Sequence, residues 1–303
     1  MGWRPIMPNG SGGGKTDFKA PPRNYKALPV ARNPPRGVDK NHSNLEKDGF
    51  TGDLAFRIET LTAVHIGTGG FALVDDSRGS ERLVKDIMRS NGQPIIPGSS
   101  LKGMCRYAFE AITESGEPRD AGESSDRAAS VFGSLVRRGF VSFDDAISPE
   151  NVLLETIWVS GAYPPDQDVG RRFYGPQPEK ANQPPRCPAL AIPAGVDLET
   201  TLHVENLKDF ELGWVLLALG IQPRFDPKIG GAKYDSFGWI RVHLDSWSPR
   251  RWPEDPKPIR GAPLRDKVGR WSRAGRAMLS GNGSKALRTI KRHMQSEKDG
   301  DKP

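Results

Sequence analysis

Two long segments of the chain alternate apolar and polar residues, and a segment with helical spacing follows each of them further along. The first, TGDLAFRIETLTAV at residues 51–64, places Leu54, Phe56 and Ile58 on one side, with charged residues between them. Strict alternation predicts a β-strand that buries one face. The second, VDLETTLHVENL at residues 196–207, alternates again, although Leu198, Leu202 and Val204 fit an inward face less well than the residues of the first segment do. A chain with two such strands needs helices to cover their buried faces.

Two segments have the periodicity of helices that bury one side. LKGMCRYAFEAITES begins at Leu101, and Ser99 or Ser100 is a suitable N-cap for it. DFELGWVLLALGIQ begins at Asp209, which we expect to cap an amphipathic helix. A further alternating strand covers residues 239–245. Two successive strand–helix–strand passages predict an α+β fold with a ferredoxin-like core.

Less regular segments divide the chain into three parts. Residues 1–50 form a basic extension rich in Gly and Pro, and residues 51–249 form the folded domain. Residues 250–303 form a basic tail, in which GRAMLSGNGSKALRTIKRH can form a short helix. Within the domain, residues 71–93 have the pattern of a long polar loop. Residues 164–188 are dense in Pro, Gly and Arg, and we expect an insertion or extended arm there.

Charge is distributed unevenly over these parts. Residues 1–50 carry 9 Lys and Arg against 4 Asp and Glu, and residues 250–303 carry 15 against 6. Because the whole chain has a net charge of +7, the part between them has −7. Basic segments on an acidic body favour local contacts with a polyanion, and nucleic acid is the leading partner class. The alternative is that the basic ends only keep the protein soluble.

Several classes of protein are disfavoured by the sequence. Its 303 residues suffice for one domain with insertions or for two domains. Cys105 and Cys187 lie in unrelated contexts without CxxC spacing, so neither a disulfide framework nor a zinc site is indicated. No apolar run approaches the ~18 residues of a membrane span, and the N-terminus lacks an apolar signal core. We therefore expect a cytoplasmic protein without a membrane partner.

A candidate phosphate site surrounds the start of the first helix. The segment IPGSSLKG brings Ser99, Ser100 and Lys102 together, and a helix start presents free N–H groups and a positive dipole end. Lys102 and Arg106 share one side of the helix. The spacing of a Walker motif is absent. The alternative is an ordinary capped helix with solvated cations.

A second glycine-rich turn, GGAKYDSFG at residues 230–238, again carries a lysine, Lys233. Glycines let a backbone approach a ligand closely, and Tyr234 or Phe237 would be able to stack on a base. A tight hairpin with a core aromatic residue is the alternative.

These motifs occur in an order that resembles the RAMP superfamily of CRISPR-associated RNA-binding proteins. HIGTG, IPGSSLKG with a following Arg, ELGWVLLALG and GGAKYDSFGWIRV lie within about residues 50–245. VFGSLVRRGFVSFDDA is similar to the family's Phe-Gly turn and the strand after it. The resemblance is closest to the backbone subunits of type III effector complexes. It implies an RNA-recognition-motif fold with long insertions, including a thumb-like hairpin and a lid.

The resemblance also implies partners and residue roles. Such subunits polymerise along a CRISPR guide RNA beside adjacent RAMP subunits and present it to a complementary target RNA in antiviral defence. Phosphate contacts hold the guide while its own bases do the reading. By this resemblance, the RNA-binding residues are His65, Gly67, Ser99, Ser100, Lys102, Arg106, Arg171, Arg172, Gly230, Gly231 and Lys233. The two arginines of the insertion, with Phe173 and Tyr174, are candidates for the thumb or an inter-subunit arm; an ordinary surface loop is the alternative.

In the resembling subunits, an aspartate in the loop before IPGSSLKG supports metal-dependent cleavage of the target RNA. This chain offers Asp75, Asp76 and Asp86 there, and we favour Asp86, then Asp76. Mg²⁺ or another divalent cation is the implied cofactor, with its ligands left open. Ordinary solvated aspartates are the alternative. His65 is a weaker catalytic candidate, since related guide-processing endonucleases use histidine as an acid or base.

Three functions are open at this point. The first is a structural guide-RNA-binding subunit of a multi-subunit complex, with or without cleavage of the target RNA. The second is a stand-alone guide-RNA-processing endoribonuclease of the same superfamily. The third is an enzyme for small phosphate compounds that uses the two glycine-rich loops.

Overall fold

The computed structural model describes residues 24–43, 48–75, 79–116, 126–160, 170–176, 186–250 and 256–295. The strands are β1 (Tyr25–Leu28), β2 (Phe50–Thr60), β3 (Gly67–Asp75), β4 (Glu81–Ile87), β5 (Arg89–Ser90), β6 (Gln93–Ile96), β7 (Gly133–Ser134), β8 (Arg137–Arg138), β9 (Val141–Phe143), β10 (Ala146–Ile147), β11 (Glu155–Ser160), β12 (Arg171–Tyr174), β13 (Arg186–Ala191), β14 (Asp197–Leu207) and β15 (Ile240–Pro249). The helices are α1 (Gly98–Thr113), α2 (Arg127–Phe132), α3 (Asp209–Ala218), α4 (Gly261–Ala277) and α5 (Gly281–His293). None of the described helices has both the length and the apolar character that a membrane crossing requires.

The core is an antiparallel sheet covered on one face by two helices. β15, β2 and β14 pair in this order, and β9 and β10 extend the sheet beyond β14. Leu54, Phe56 and Ile58 of β2 are buried in the core together with residues of α1 and α3, as the alternation predicts. This is the strand order of a ferredoxin-like fold, so the predicted α+β class is confirmed.

The segment predicted to be a basic C-terminal tail contains two helices that pack on the core. α4 lies against α3 and α5 lies against α1, so together they form a third layer behind the core helices. Leu264, Val268 and Trp271 lie on the buried side of α4, and Trp271 packs against Trp247 of β15. The predicted short helix corresponds in part to α5, whereas the sequence pattern does not predict α4.

α3 is buried on every side, so its predicted amphipathic character is wrong. The sheet and α1 cover one side and α4 covers the other, and all residues from 211 to 218 are buried. The two helices cross closely because each has a glycine at the crossing. A Cβ on Gly213 would lie 2.1 Å from the carbonyl oxygen of Trp271, and one on Gly275 would lie 2.8 Å from the carbonyl carbon of Gly213.

Part of the predicted N-terminal extension also packs on the domain. Lys40 and Glu211 of α3 form a buried ion pair, with 2.6 Å between Nζ and Oε2. The same carboxylate accepts a hydrogen bond from the backbone N–H of Lys208 at 2.9 Å. Asp209, the predicted N-cap, is therefore the first helical residue, and Lys208 precedes the helix. The ion pair holds the chain around Lys40 against α3.

The predicted polar loop at residues 71–93 contains a β-hairpin instead. β3 and β4 pair antiparallel and join β13 and β11 in a second sheet of four strands. Phe71, Leu73 and Leu83 are each more than half exposed. Because this sheet buries few side chains of β3, the segment lacks the one-sided pattern that identifies the core strands.

Residues 170–176 and 186–188 are the described part of the predicted insertion at 164–188. β12 pairs antiparallel with β1, and β13 begins at Arg186, near the end of the insertion. This part of the insertion is therefore β-structure that joins the N-terminal segment to the domain. The other residues of the proposed thumb or arm lie outside the described residues.

A buried lysine holds the loop that precedes β15. The Nζ atom of Lys228 donates to the carbonyl oxygens of Lys233 and Asp235 at 2.9 and 2.8 Å, and it lies 4.6 Å from the ring centroid of Trp239. Desolvation by burial lowers the pKa of Lys228 to about 7, although the charge of Asp235 acts in the opposite direction. These contacts keep residues 228–235 in a compact conformation.

Gly275→Ala is predicted to destabilise the protein, because the new Cβ would overlap the backbone of Gly213. Extra volume at such a contact costs about 1–3 kcal/mol. Gly269→Ala, in the same helix, is the matched control, because its Cβ would meet only the end of the Arg273 side chain at 3.4 Å. Better helix propensity should make that variant more stable by about 0.5–1 kcal/mol. Urea denaturation measures both effects, and equal stabilities would contradict the close crossing.

Lys228→Met is predicted to change how stability depends on pH. A base whose pKa is lower in the folded state binds fewer protons when folded, so stability rises with pH between the folded and unfolded pKa values. For Lys228 this window extends from about 7 to 10.5. From pH 7 to pH 9 the unfolding free energy of the native protein should therefore rise relative to that of the variant, by at most about 3 kcal/mol. Urea unfolding at the two pH values measures this difference, and a constant difference would refute the titration of Lys228 in this range.

Candidate functional site

α1 begins in the segment predicted to bind phosphate, but the N–H groups of Gly98 and Ser100 are already bonded. The helix starts at Gly98, whose N–H donates to Oδ1 of Asp145 at 2.8 Å. The N–H of Ser100 donates to the carbonyl oxygen of Pro97 at 2.8 Å. Neither Ser99 nor Ser100 caps the helix, so the predicted N-cap is wrong. Because a carboxylate lies at the positive end of the helix dipole, the helix start itself does not favour an anion.

A cleft of about 680 Å³ lies between α1 and the loop at residues 228–233. Ser100, Met104 and Tyr107 of α1 form one wall, and Met294 lies at the end next to α5. Six of the residues predicted to bind RNA line this cleft: Gly67, Ser100, Arg172, Gly230, Gly231 and Lys233. The fold therefore brings together the glycine-rich segments that lie far apart in the sequence.

His65 holds the glycine-rich loop against the end of the first core strand. Its Nδ1 donates to the carbonyl oxygen of Leu190 at 2.6 Å, and its own carbonyl oxygen accepts from the N–H of Gly231 at 2.9 Å. Gly230 has a φ of 82°, and a Cβ there would lie 2.4 Å from the carbonyl oxygen of His65. The side chain of His65 lies behind the cleft wall, and the residue is 6% exposed. Its hydrogen bonds position the loop, and little of its surface is exposed.

The charges of the cleft favour an anionic ligand. Among the described residues that line it are three basic side chains, Arg172, Lys228 and Lys233, and no carboxylate. Tyr107, which is 38% exposed, and Tyr174 add aromatic surface. Aromatic and apolar surface beside cations suits a nucleotide chain, which combines bases with phosphates.

Arg171 does not present its charge to a ligand, contrary to the prediction. It is 5% exposed and pairs with Glu110, with 3.0 Å between Nη2 and Oε2. The next residue, Arg172, lines the cleft, and its backbone N–H donates to the hydroxyl oxygen of Tyr107 at 2.5 Å. The ring of Phe173 packs against that of Tyr107, with 5.3 Å between the centroids. The described part of the predicted thumb thus forms one side of the cleft.

Lys102 and Arg106 also belong to α1, but neither of them lines the cleft. Lys102 lines a separate groove of about 410 Å³ with Arg138, Arg250 and two carboxylates. Burial, and then the charges of Arg106 and Arg138, lower the pKa of Lys102. Arg106 pairs with Glu110, with 2.7 Å between Nε and Oε1. The predicted pair of cations therefore shares one helix side, but only Lys102 is without a carboxylate partner among the described residues.

The aromatic residues of the second glycine-rich turn are used in packing. The hydroxyl of Tyr234 donates to the carbonyl oxygen of Ser160 at 2.8 Å. Phe237 is partly buried against a small cluster of apolar residues. The carboxylate of Asp235 accepts from the Oγ and the backbone N–H of Ser160, both at 3.0 Å. The loop is therefore better described as a tight turn with a core aromatic residue than as a surface on which bases stack.

Two of the three candidate catalytic aspartates, Asp86 and Asp75, lie at opposite ends of the paired strands β3 and β4. Oδ1 of Asp86 accepts from Nη1 of Arg89 at 2.7 Å and from the N–H of Ile87 at 2.8 Å. The hydrogen bond from Arg89 holds the pKa of Asp86 below its usual range. Asp75 lies at the other end of the hairpin, and Asp76 lies outside the described residues. In the described ranges no three His, Cys, Asp or Glu side chains are grouped to hold a metal ion.

The open face of the core sheet is a poor site for a polyanion. A groove of about 920 Å³ lies there, larger than the cleft. The charged residues that line it are Asp144, Asp145, Asp197, Glu199, Asp245, Arg57 and Arg260. Because five carboxylates outnumber two cations, this groove repels phosphates. The smaller cleft is therefore the better site for a polyanion.

Tyr107 and Lys228 are cleft residues that no sequence motif singles out. Tyr107 is an aromatic residue on the polar side of an amphipathic helix, one turn after Gly103. This placement is a sequence feature from which a binding residue can be predicted. Lys228 offers no such signal, because its burial depends on how the loop folds onto Trp239.

Comparison with known proteins identifies the family. The profile of the RAMP superfamily matches residues 57–241, which is more than half of the chain and extends from β2 to the start of β15. A search of curated proteins gives no significant match. The matched residues include α1, β12 and the glycine-rich loop, which form most of the cleft. The chain therefore belongs to the RAMP superfamily of CRISPR-associated proteins, which has an RNA-binding role.

Proposed function

We propose that this protein is a guide-RNA-binding backbone subunit of a type III CRISPR ribonucleoprotein effector, acting in antiviral defence in the cytoplasm. The observation that carries the proposal is the cleft between α1 and residues 228–233, whose described lining has three basic side chains and no carboxylate. An RNA strand supplies the repeated negative charge and the apolar bases that fit this lining. Membership of the RAMP superfamily supports RNA as the ligand.

In this proposal the cleft holds the strand by its backbone. Arg172 and Lys233 supply cations for two phosphates. Gly230 and Gly231 have no side chains to keep the strand away from the wall. The buried Lys228 adds positive potential behind that wall when it is protonated. Such contacts do not depend on base sequence, so the bases of the guide are left free to pair with a target.

The two alternative functions have less support. A stand-alone guide-processing endoribonuclease would use His65 as acid or base, but its buried ring donates to a carbonyl oxygen. An enzyme for small phosphate compounds would need a reactive group in the cleft. Lys228 is the nearest candidate in the described lining, and its amine is bonded to two carbonyl oxygens.

Arg172→Ala/Lys233→Ala is predicted to weaken binding of unstructured RNA. Each lost phosphate contact lowers the slope of log K against log salt by about 0.7 for a single strand. The double variant should therefore lose about 1.4 from the slope and bind about 25-fold more weakly at 0.1 M salt. Fluorescence anisotropy at several salt concentrations measures both values. Arg57→Ala, in the acidic groove, is the control and should bind normally; native affinity in the double variant would exclude the cleft as the RNA site.

Purification of the tagged protein from its native cells is predicted to yield guide RNA and sibling subunits. An RNA-free protein, or a monomer that cuts repeat RNA without metal, would contradict the proposal and favour the processing enzyme.

The same preparation tests target cleavage, which stays a prediction. If Asp86 acts with a divalent cation, Asp86→Asn abolishes cutting of complementary RNA while guide binding survives, and a chelator does the same to the native assembly. Continued cutting by that variant would remove Asp86 from consideration.

A further inference from the structure

α4 and α5 carry a strong excess of positive charge. Together they contain nine Lys and Arg side chains and one acidic residue, Asp266. Both helices follow the segment that matches the RAMP superfamily, which ends at residue 241. Their charge therefore belongs to a part of the chain that the family assignment does not explain.

The cations lie on the sides of the two helices that face away from the core. Exposed cations recur at every third residue on each helix, and residues at this spacing are neighbours on a helix surface. The buried residues of both helices lie on the opposite sides. We define the C-terminal basic face by these side chains: Arg270, Arg273, Arg276, Lys285, Arg288, Lys291 and Arg292.

Most of this face is without a carboxylate partner. Within the described part of the chain, Arg270 is the one member that forms an ion pair, with 3.4 Å between its Nη2 and Oδ2 of Asp209. Both side chains of that pair are exposed, and such pairs contribute little to stability. Like charges placed at neighbouring helix positions repel each other. A polyanion that bound here would relieve this repulsion.

Neither helix stability nor solubility accounts for the basic face. Cations in the last turn of a helix interact favourably with its dipole, but in α5 this explains only Lys291 and Arg292. A surface that serves solubility usually intersperses both signs of charge. On these helices Asp266 is the single negative residue.

The basic face begins near one end of the cleft. Met294, which follows α5, lines the cleft, and Lys291 and Arg292 lie within one helical turn of it. α5 packs on α1 and β12, which also form cleft walls. At a rise of about 1.5 Å per residue, the cations of α5, from Lys285 to Arg292, extend the positive surface by about 10 Å. A strand that leaves the cleft at this end and bends around α5 reaches these cations.

We propose that the C-terminal basic face binds the phosphate backbone of the RNA where the strand leaves the cleft. The protein then holds a longer stretch of RNA than the cleft covers. This inference rests on the proposed function, because it takes RNA as the ligand of the cleft. An acidic protein surface fits less well, because protein interfaces have an apolar centre, and Met278 is the one exposed large apolar side chain in the described C-terminal helices and their connection.

The test compares RNAs of two lengths. Arg288→Gln/Arg292→Gln removes two charges from α5, and glutamine preserves helix propensity. We expect this variant to bind an unstructured RNA of about 30 nucleotides about 25-fold more weakly at 0.1 M salt, with a salt slope smaller by about 1.4. Binding of an RNA of about 8 nucleotides, which occupies the cleft alone, should be unchanged. Fluorescence anisotropy measures both affinities, and melting temperatures confirm that the variants are folded.

Arg57→Gln/Arg260→Gln is the matched control, because it removes the same charge from the acidic groove. It should bind both RNAs like the native protein. Native affinity of the α5 variant for the long RNA would overturn the inference, as would equal losses for both lengths. Loss of a co-purifying protein with RNA binding unchanged would instead assign the face to a protein partner. Failure of the proposed function is distinguishable, since Arg172→Ala/Lys233→Ala would then bind both RNAs normally.

Discussion

The cleft depends on hydrogen bonds that join three distant segments of the chain at His65. The ring of His65 donates to the carbonyl oxygen of Leu190 in β13, and its carbonyl oxygen accepts from the N–H of Gly231. The loop approaches this closely because Gly230 has no side chain to separate it from His65. Since Lys233 belongs to the same loop, its position beside α1 follows from this connection. Without the loop, the side of α1 that lines the cleft would lack the wall opposite it.

Periodicity predicts correctly those elements that contact the core from one side. β2, β14, β15 and α1 alternate or repeat with one buried face, and the ferredoxin-like order follows from them. α3 departs from this rule, because α4 covers its second side. β3 and β4 escape the pattern because their sheet buries little of Phe71 or Leu73. In α4, Leu264, Val268 and Trp271 have helical spacing, but so few apolar residues in a basic segment do not stand out.

Residue types in the site are predictable, whereas their partners are not. The two glycine-rich segments are expected to lie beside one ligand, and they line one cleft. Local rules fail where the decisive partner is distant in the chain. The carboxylate of Asp145 accepts from the first N–H of α1, whereas the local sequence predicts Ser99 as the cap. Glu110 likewise neutralises Arg171 inside the protein. No motif records such pairs, because they arise only when strands and helices are brought together.

The acidic groove and the C-terminal basic face lie on opposite sides of the layered fold. Among the described residues, this separation contributes an electric dipole with its positive end on the helical side. In the field of a polyanion the dipole experiences a torque, which turns the protein helix side first before contact. A larger fraction of collisions then begins in a productive orientation. Added salt removes the advantage, because it shortens the distance over which the field acts.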